Sequence, residues 1–336
     1  EGKDKEIVLV KELSTPNKVR ELQRKLYLKS KAEQDYRFYS LYDKVCGEEM
    51  LLAAWQRVRT NNGTCGVDDE TRDEIERRGV DSFIRELHEE LMNKTYRPQS
   101  VRRVWIPKPD GSKRALGIPT IRDRVVQTAV KMVIEPIFEA DFQDCSYGFR
   151  PKRSAQQAVK EVGKYLQWGL VNVIDADISD FFNKIPHQRL LKMIARRITD
   201  GQILRLIKQW IRCGILEDGE TRHQITGTPQ GGVISPLLAN IYLNELDTGW
   251  RKKGHNSRLI RYADDLVILT DKNPEQPFAV LEKELRELGL ELNHRKTHII
   301  SADEKSFDFL GFSFRRAEHP WKKKRFARYS PSKKAQ

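Results

Sequence analysis

The sequence predicts an α+β protein, and three features of its patterning carry that expectation. Apolar residues recur at helical spacing through several long segments. Apolar runs of strand length, most clearly 171–178 (VNVIDADI) and 258–270 (RLIRYADDLVILT), lie between them. The two kinds are mixed without the regular alternation that builds a parallel βαβ sheet, and no internal repeat or low-complexity block interrupts them.

Taken in order, residues 15–44 read as one long exposed helix, with Thr15 as cap, Pro16 at the first helical position, and Val19, Leu22 and Leu26 on one face. A helix near 47–60 ends at Asn61-Asn62-Gly63, inside a glycine-bearing loop over 61–68. After a charged stretch, Phe83, Ile84, Leu87 and Leu91 mark an amphipathic helix. Residues 101–107 and 113–118 read as strands joined by the turn Pro109-Asp110-Gly111. Helices follow at 122–138, 154–168, 187–197 and 202–212, around the buried strand at 171–178. Ser235-Pro236 opens a helix through 246, ahead of the divided strand at 258–270. A helix at 276–288 and a strand pair near 297–314 complete the reading.

With 336 residues the chain should form two or three packed units. Its 61 Lys and Arg against 48 Asp and Glu give a net charge of +13, which favours a polyanionic partner, nucleic acid before all, over a small acidic metabolite. Residues 315–336 hold nine of the cations and one Glu. Trp321, Phe326 and Tyr329 are interleaved with them, as in a segment that stacks on bases while its cations meet phosphates. No stretch approaches eighteen uninterrupted apolar residues, so a soluble cytoplasmic protein, in the bacterial cytosol, with no membrane partner is expected. Cys46, Cys65, Cys145 and Cys213 share no metal-binding spacing and read as reduced structural thiols. His187, His294 and His298 likewise lack a second ligand at metal spacing.

The chemistry concentrates in two apolar strands. Asp264 and Asp265 follow Tyr262-Ala263 inside an apolar hairpin, where carboxylates are costly unless a cation compensates them. A bare surface turn is the competing reading. Two-residue hairpin turns favour Gly or Asn at positive φ, and neither is present. In 171–178, period-two alternation puts Asp175 and Asp177 on one face. Together the strands supply the minimum set for two Mg²⁺ ions roughly 3.5–4 Å apart, and oxygen-only ligands select Mg²⁺, with Mn²⁺ able to substitute, over zinc.

These residues stand in boxes that resemble the reverse transcriptase domain of group II intron-encoded maturases, over nearly the whole chain. Tyr262-Ala263-Asp264-Asp265 is similar to the family's YADD box, and Asp177-Ile178-Ser179-Asp180-Phe181-Phe182 to its D-I-x-x-F-F segment. Thr228-Pro229-Gln230-Gly231-Gly232 with Ser235-Pro236-Leu237-Leu238, and Phe309-Leu310-Gly311-Phe312, match two further blocks. Ile106-Pro107-Lys108-Pro109, Lys113-Arg114 and Leu116-Gly117-Ile118-Pro119 resemble the fingers hairpin.

The resemblance implies a right-hand polymerase fold, with fingers and a palm whose antiparallel sheet packs on helices. The division would be an N-terminal helical arm at 1–45, fingers at 46–170 (template-contacting loop 61–68, hairpin 101–119), palm at 171–314, and a basic tail at 315–336 leading to an absent thumb or maturase domain. Starting at Glu1 without Met, the chain reads as a trimmed piece. Asp177, Asp264 and Asp265 would be catalytic metal ligands, with the Ile178 carbonyl as a further ligand. Lys108, Arg114, Phe182 and Gln230 would bind the nucleotide, Phe182 as the ring that excludes a 2′-hydroxyl. Lys296 and Tyr262 would contact nucleic acid. The function implied is RNA-directed DNA synthesis on group II intron RNA or another RNA template, from a DNA or RNA primer and deoxynucleoside triphosphates, with intron binding for splicing and mobility. The competing readings are an RNA-binding splicing module without important polymerase activity, and a defence- or CRISPR-associated reverse transcriptase. The family often carries an acid where Asn183 stands; it is not a metal ligand in the pattern.

Overall fold

The computed structural model describes residues 16–61, 63–107, 111, 113–217, 220–222, 226–227, 231–253, 256–318 and 325–333. Its central element is an antiparallel sheet in the order β6-β7-β3-β8, made of β3 (Asn172–Asp177), β6 (Ser257–Tyr262), β7 (Asp265–Thr270) and β8 (His298–Ser301). Period-two alternation sorts the side chains. Ile174, Ala176, Leu259, Leu266 and Ile268 enter one core, while Val173, Ile260, Val267 and Leu269 enter a second. Because both faces are covered, these strands are nearly continuous apolar runs, interrupted where acids reach the sheet's end.

The first core is helical. It gathers α3 (Glu48–Thr60), α5 (Val80–Met92), α6 (Ile121–Glu139), α9 (His187–Ala195), α10 (Gly201–Ile211), α11 (Ser235–Lys252) and α12 (Glu275–Glu287). The Thr120 hydroxyl caps α6, and that helix is buried on most sides because other helices surround it. The second core lies under α7 (Ala155–Gln167) and a small sheet of β9 (Phe307–Phe309), β10 (Phe312–Glu318) and β11 (Arg325–Pro331). Phe314 stacks between Phe307 and Tyr329, with ring centroids 5.2 Å and 5.5 Å away. The Tyr329 ring in turn lies against Gly163 of α7, where a Cβ would come within 2.8 Å of it. The hairpin β1 (Val101–Pro107) with β2 (Lys113–Ile118) pairs from Arg102–Ile118 to Pro107–Lys113, and β4 (Ile215–Glu217) runs parallel to β1 at its base.

Several elements differ from the sequence reading. The first helix, α1, spans Asn17–Ala32 and stops well before 44. Beyond it Phe38 bridges Ile198, and the Asp200 carboxylate accepts hydrogen bonds from the amides of Leu41 and Tyr42; these long-range partners outweigh local helix propensity. Thr15 lies outside the described residues. The charged stretch holds α4 (Arg72–Arg78), started by a reciprocal capping box between Thr71 and Glu74. Ser235 begins α11 without capping it by its side chain. The boundary drawn at 314 falls inside β10, and residues 325–331, read as basic tail, pair with it strand to strand. Trp321 lies outside the described residues, and no described helix is long and apolar enough to cross a membrane.

Candidate active site

Strand register builds the site. Asp177, the last residue of β3, pairs across with Asp265, the first of β7, and Asp265 pairs with Tyr262, the last of β6. Cross-strand partners share a face, so Tyr262, Asp265 and Asp177 form one row on the second-core side of the sheet. Asp175 sits one row further in on that face, opposite Val267 and His298. The turn just before β8 holds Asp177 in place. The Asn293 amide donates to the Asp177 carbonyl (2.8 Å), the Asn293 side chain to its carboxylate (3.1 Å), and the Asp177 amide to the Thr297 hydroxyl (3.4 Å).

Asp264 occupies the two-residue turn between β6 and β7, so the lack of Gly or Asn does not prevent a tight turn here. Ala263 takes the positive φ instead, at 57°, a strain of about 1–2 kcal/mol for a residue with a Cβ. A buried network holds it from behind. Arg261 donates to the Ala263 carbonyl (2.9 Å), to the Asn240 side-chain oxygen (2.8 Å) and through Nε to the Asp247 carboxylate (2.9 and 3.1 Å). Arg261 and Asp247 have fully buried side chains. Asn240 also donates to the Gly148 carbonyl (2.8 Å), and Gly148 lies so close that a Cβ would sit 2.4 Å from the Ala263 nitrogen. Only glycine allows that approach.

The row concentrates negative charge. Loss of water around Asp265, then repulsion from Asp264 and Asp177, raise its carboxyl to about 6. Desolvation also raises Asp264, with Asp177 adding to the effect. Asp175, more deeply placed, is pushed up to about 7 by desolvation and by Asp265, Asp177 and Asp308. Arg114, exposed on β2, acts in the opposite sense on both Asp264 and Asp265, and Lys296 does so on Asp265. An oxygen-only set of carboxylates that repel one another and resist ionisation fits a hard divalent cation such as Mg²⁺ or Mn²⁺. Among the described residues no three His, Cys, Asp or Glu side chains are already gathered closely enough to hold an ion.

The remaining predicted residues distribute around this row. Ile178 forms a bridge with Leu292 that uses the Asp177 carbonyl and the Ser179 amide, so by strand alternation the Ile178 carbonyl points to the opposite side, towards β7. Phe182 lies in the short helix α8 (Phe181–Lys184), half-buried, its ring 5.2 Å from that of Phe181. Gly227 packs on the Phe182 carbonyl, 2.8 Å from where its Cβ would be, and Gly231 on the Gly117 carbonyl of β2, 2.5 Å likewise. Gly227 is thus held against α8 and Gly231 against the hairpin. Lys108 and Gln230 themselves lie outside the described residues. Lys296 is exposed, with its Nζ 3.8 Å from the Asp177 carboxylate, and Tyr262 is half-buried beside Phe149, ring centroids 6.2 Å apart. In the 61–68 loop Gly66 presses on the Thr120 backbone and Arg124 donates to the Thr64 carbonyl, fixing the loop to the start of α6. His187 is buried and bonds the Gly227 carbonyl (2.6 Å), and the four cysteines are free thiols.

Sequence reasoning missed the residues behind the site. An arginine inside an otherwise apolar strand, Arg261 within RLIRY, was the available signal for a buried ion pair, although its partner on α11 could not be read from spacing. Asn293 and Thr297 gave no signal beyond standing in a short polar turn.

The chain matches the family model described as reverse transcriptase (RNA-dependent DNA polymerase) over residues 106–314. It is 34% identical to Protein YkfC of Escherichia coli, covering 94% of this chain and 93% of that protein. It is 38% identical to the group II intron-encoded protein LtrA of Lactococcus lactis, over 62% of this chain but 35% of LtrA, and so spans about a third of that relative's length. The putative COX1/OXI3 intron 1 protein of Saccharomyces cerevisiae is 29% identical over 93% of this chain and 43% of its own. Among solved structures, apo telomerase from Candida tropicalis aligns over 65% of this chain and 47% of its own with a TM-score of 0.50 and 15% identity, a likeness of fold.

Two outcomes follow from the geometry. Asp247→Asn strips the charge from a fully buried pair and leaves Arg261 uncompensated, which is expected to cost about 3–5 kcal/mol in urea unfolding; a loss below about 1 kcal/mol would mean the pair does not anchor the turn. Carboxyls raised in the folded state cost no stability when protonated in both states. Their penalty grows as pH climbs above the ordinary carboxylate range and is complete once Asp265, at about 6, and Asp175, at about 7, have ionised. A bound cation offsets that penalty, so Mg²⁺ should raise the melting temperature more at pH 8 than at pH 5, and less in Asp265→Asn. Equal increments under all three conditions would mean the ion binds elsewhere.

Proposed function

The chain belongs to the reverse transcriptase family of RNA-dependent DNA polymerases, and from that membership we propose that it copies RNA into DNA at the end of its palm sheet, where Tyr262, Asp265 and Asp177 stand in one row beside Asp264. That row carries the reading: its oxygens face one side, crowd negative charge and call for cations.

Asp177, Asp264 and Asp265, with the Ile178 carbonyl, would hold two Mg²⁺ ions, which when bound lower the pKa of the primer 3′-hydroxyl and neutralise the departing pyrophosphate. Every other task falls to protein groups. Asn293 and Thr297 fix the Asp177 backbone and carboxylate, and Arg261 fixes the turn that presents Asp264. Arg114, on the fingers hairpin, and Lys108 grip the triphosphate, the first as a planar fork and the second as a point charge. Phe182 sits under the deoxyribose and leaves no room for a 2′-hydroxyl. Gln230, between Gly227 and Gly231 in sequence, meets the nascent pair. Lys296 and Tyr262 contact the nucleic acid. The reaction is attack of the primer hydroxyl on the α-phosphate of a deoxynucleotide with loss of pyrophosphate.

The likeness to LtrA supports group II intron RNA as a template and binding partner, with roles in splicing and mobility, and a DNA or RNA primer. The helical arm and the 61–68 loop are the RNA- and template-contacting parts of this reading, fingers and palm dividing near residue 170. Four free thiols accord with a reducing cytosol.

The test is primer extension on an RNA template with Mg²⁺, offering deoxynucleotides or ribonucleotides. Asp264→Asn should lower deoxynucleotide incorporation by roughly a thousandfold or more while RNA affinity holds; parallel loss of both would make the acids structural. Phe182→Ala should raise ribonucleotide incorporation by roughly tenfold or more, and unchanged sugar selectivity would remove its role as a gate.

A further inference from the structure

Phe149 is an exposed aromatic residue that the fold holds in place beside the active site. It is 52% exposed, on the segment between α6 and α7, and its φ is 56°, a conformation that side chains with a Cβ rarely adopt. The chain on either side of it is locked. Ahead of it, residues 145–148 run along β6: the Arg261 amide donates to the Cys145 carbonyl and the Tyr147 amide to the Arg261 carbonyl, both at 2.8 Å. Tyr147 enters the second core, and Gly148 is pressed on the Ala263 backbone and bonded by Asn240. Behind it Arg150 is buried, forking onto Glu139 (3.0 and 2.7 Å) and donating to the carbonyls of Gln143 (2.5 Å) and Ser146 (2.7 Å). With both neighbours fixed, Phe149 has no freedom to relax its backbone, and its ring is left beside Tyr262, in the row that carries Asp265 and Asp177.

Such strain persists only where the surroundings over-determine it, and it clusters at sites that use it. Folding alone gives no reason to hold a phenyl ring in water at a strained position. Resting on the polymerase reading, we infer that Phe149 and Tyr262 together form an apolar platform for the primer–template duplex just behind its growing end. Phenyl offers no hydrogen-bond donor or acceptor, so it cannot read a base edge. It matches what every nucleotide presents irrespective of sequence, the apolar sugar face in the minor groove. The 3′-hydroxyl has to reach the carboxylates, so the last base pairs must pass the residues next to the Ala263–Asp264 turn.

Glycine at position 149 separates contact from architecture, because it removes the ring and accepts the positive φ without strain. Binding of a fluorescent DNA primer annealed to an RNA template would be followed by anisotropy for the full chain, Phe149→Gly and Phe149→Trp, alongside melting temperature and steady-state extension. Phe149→Gly should melt no lower than the parent yet bind the duplex roughly tenfold more weakly, the scale of covering the exposed half of a phenyl ring. The loss should be independent of sequence, leave the slope against salt unchanged because no charge is removed, and leave the KM for deoxynucleotide unaltered. Phe149→Trp should retain affinity. Equal duplex binding by Phe149→Gly and the parent overturns the inference, as does equal weakening by both variants with a lowered melting temperature. Binding is read without catalysis, so a chain that fails to extend primers would sink the polymerase proposal and leave this comparison to be decided by itself.

Discussion

Crowding carboxylates at one end of a sheet is the constraint on which the rest of this structure depends. Asp177, Asp264, Asp265 and, one row in, Asp175 share a face or turn, and lost hydration together with repulsion from neighbouring carboxylates holds Asp175, Asp264 and Asp265 back from ionising. A fold can tolerate that only if the strands carrying the acids are held by something other than the acids. Here Ile174, Ala176, Leu266 and Ile268 bury one face of β3 and β7 among helices, while Val173, Val267 and Leu269 bury the other under α7. Apolar packing on both sides fixes the register, and the register fixes which carboxylates meet. A slip of one residue would send Asp177 to the helical core and break the row.

The Arg261–Asp247 pair solves a second problem in the same place. A buried ion pair contributes little net stability once desolvation is counted, so its value here is positional. Two of the hydrogen bonds from Arg261 end on the turn and on Asn240, which reaches Gly148. Thus the helix α11, the turn and the 145–150 segment are tied at one guanidinium. The planar fork of arginine grips the Asp247 carboxylate through two nitrogens and leaves Nη1 for the turn and Asn240, a fixed geometry that a compact ammonium does not offer. The strain at Ala263 and Phe149 is held by this network and by the Arg150–Glu139 pair.

Much of this was legible beforehand because periodicity is local. The apolar runs at 171–178 and 258–270 became β3, β6 and β7, and the amphipathic pattern of Phe83, Ile84, Leu87 and Leu91 became α5. Asp175 and Asp177 fell on one face because alternation demands it. What stayed hidden was decided at long range. The end of α1 at Ala32 follows from the pairing of Phe38 with Ile198, about 160 residues on in sequence. The tight turn at Ala263 follows from Arg261, Asn240 and Gly148, of which only Arg261 is close in the chain. The strand at 325–331 was masked by its charge: Arg325 and Arg328, in a stretch otherwise rich in cations, conceal the pairing of Tyr329 on Phe314.

The two halves of the site also differ in rigidity, and that difference suits the proposed chemistry. The carboxylate row is built on paired strands with buried neighbours and cannot move far without unpacking a core. Arg114, by contrast, is exposed on a two-stranded hairpin whose base alone is paired to a third strand, β4, and on which Gly231 rests against Gly117 and Leu116. A hairpin of that kind can pivot at low cost. In the proposed reaction a triphosphate would lie between Arg114 and cations held by the carboxylates, its charge met from both sides. Arg114 already acts on Asp264 and Asp265 across the gap, in the sense that favours their ionised forms, so hairpin and row are coupled through charge before any substrate lies between them.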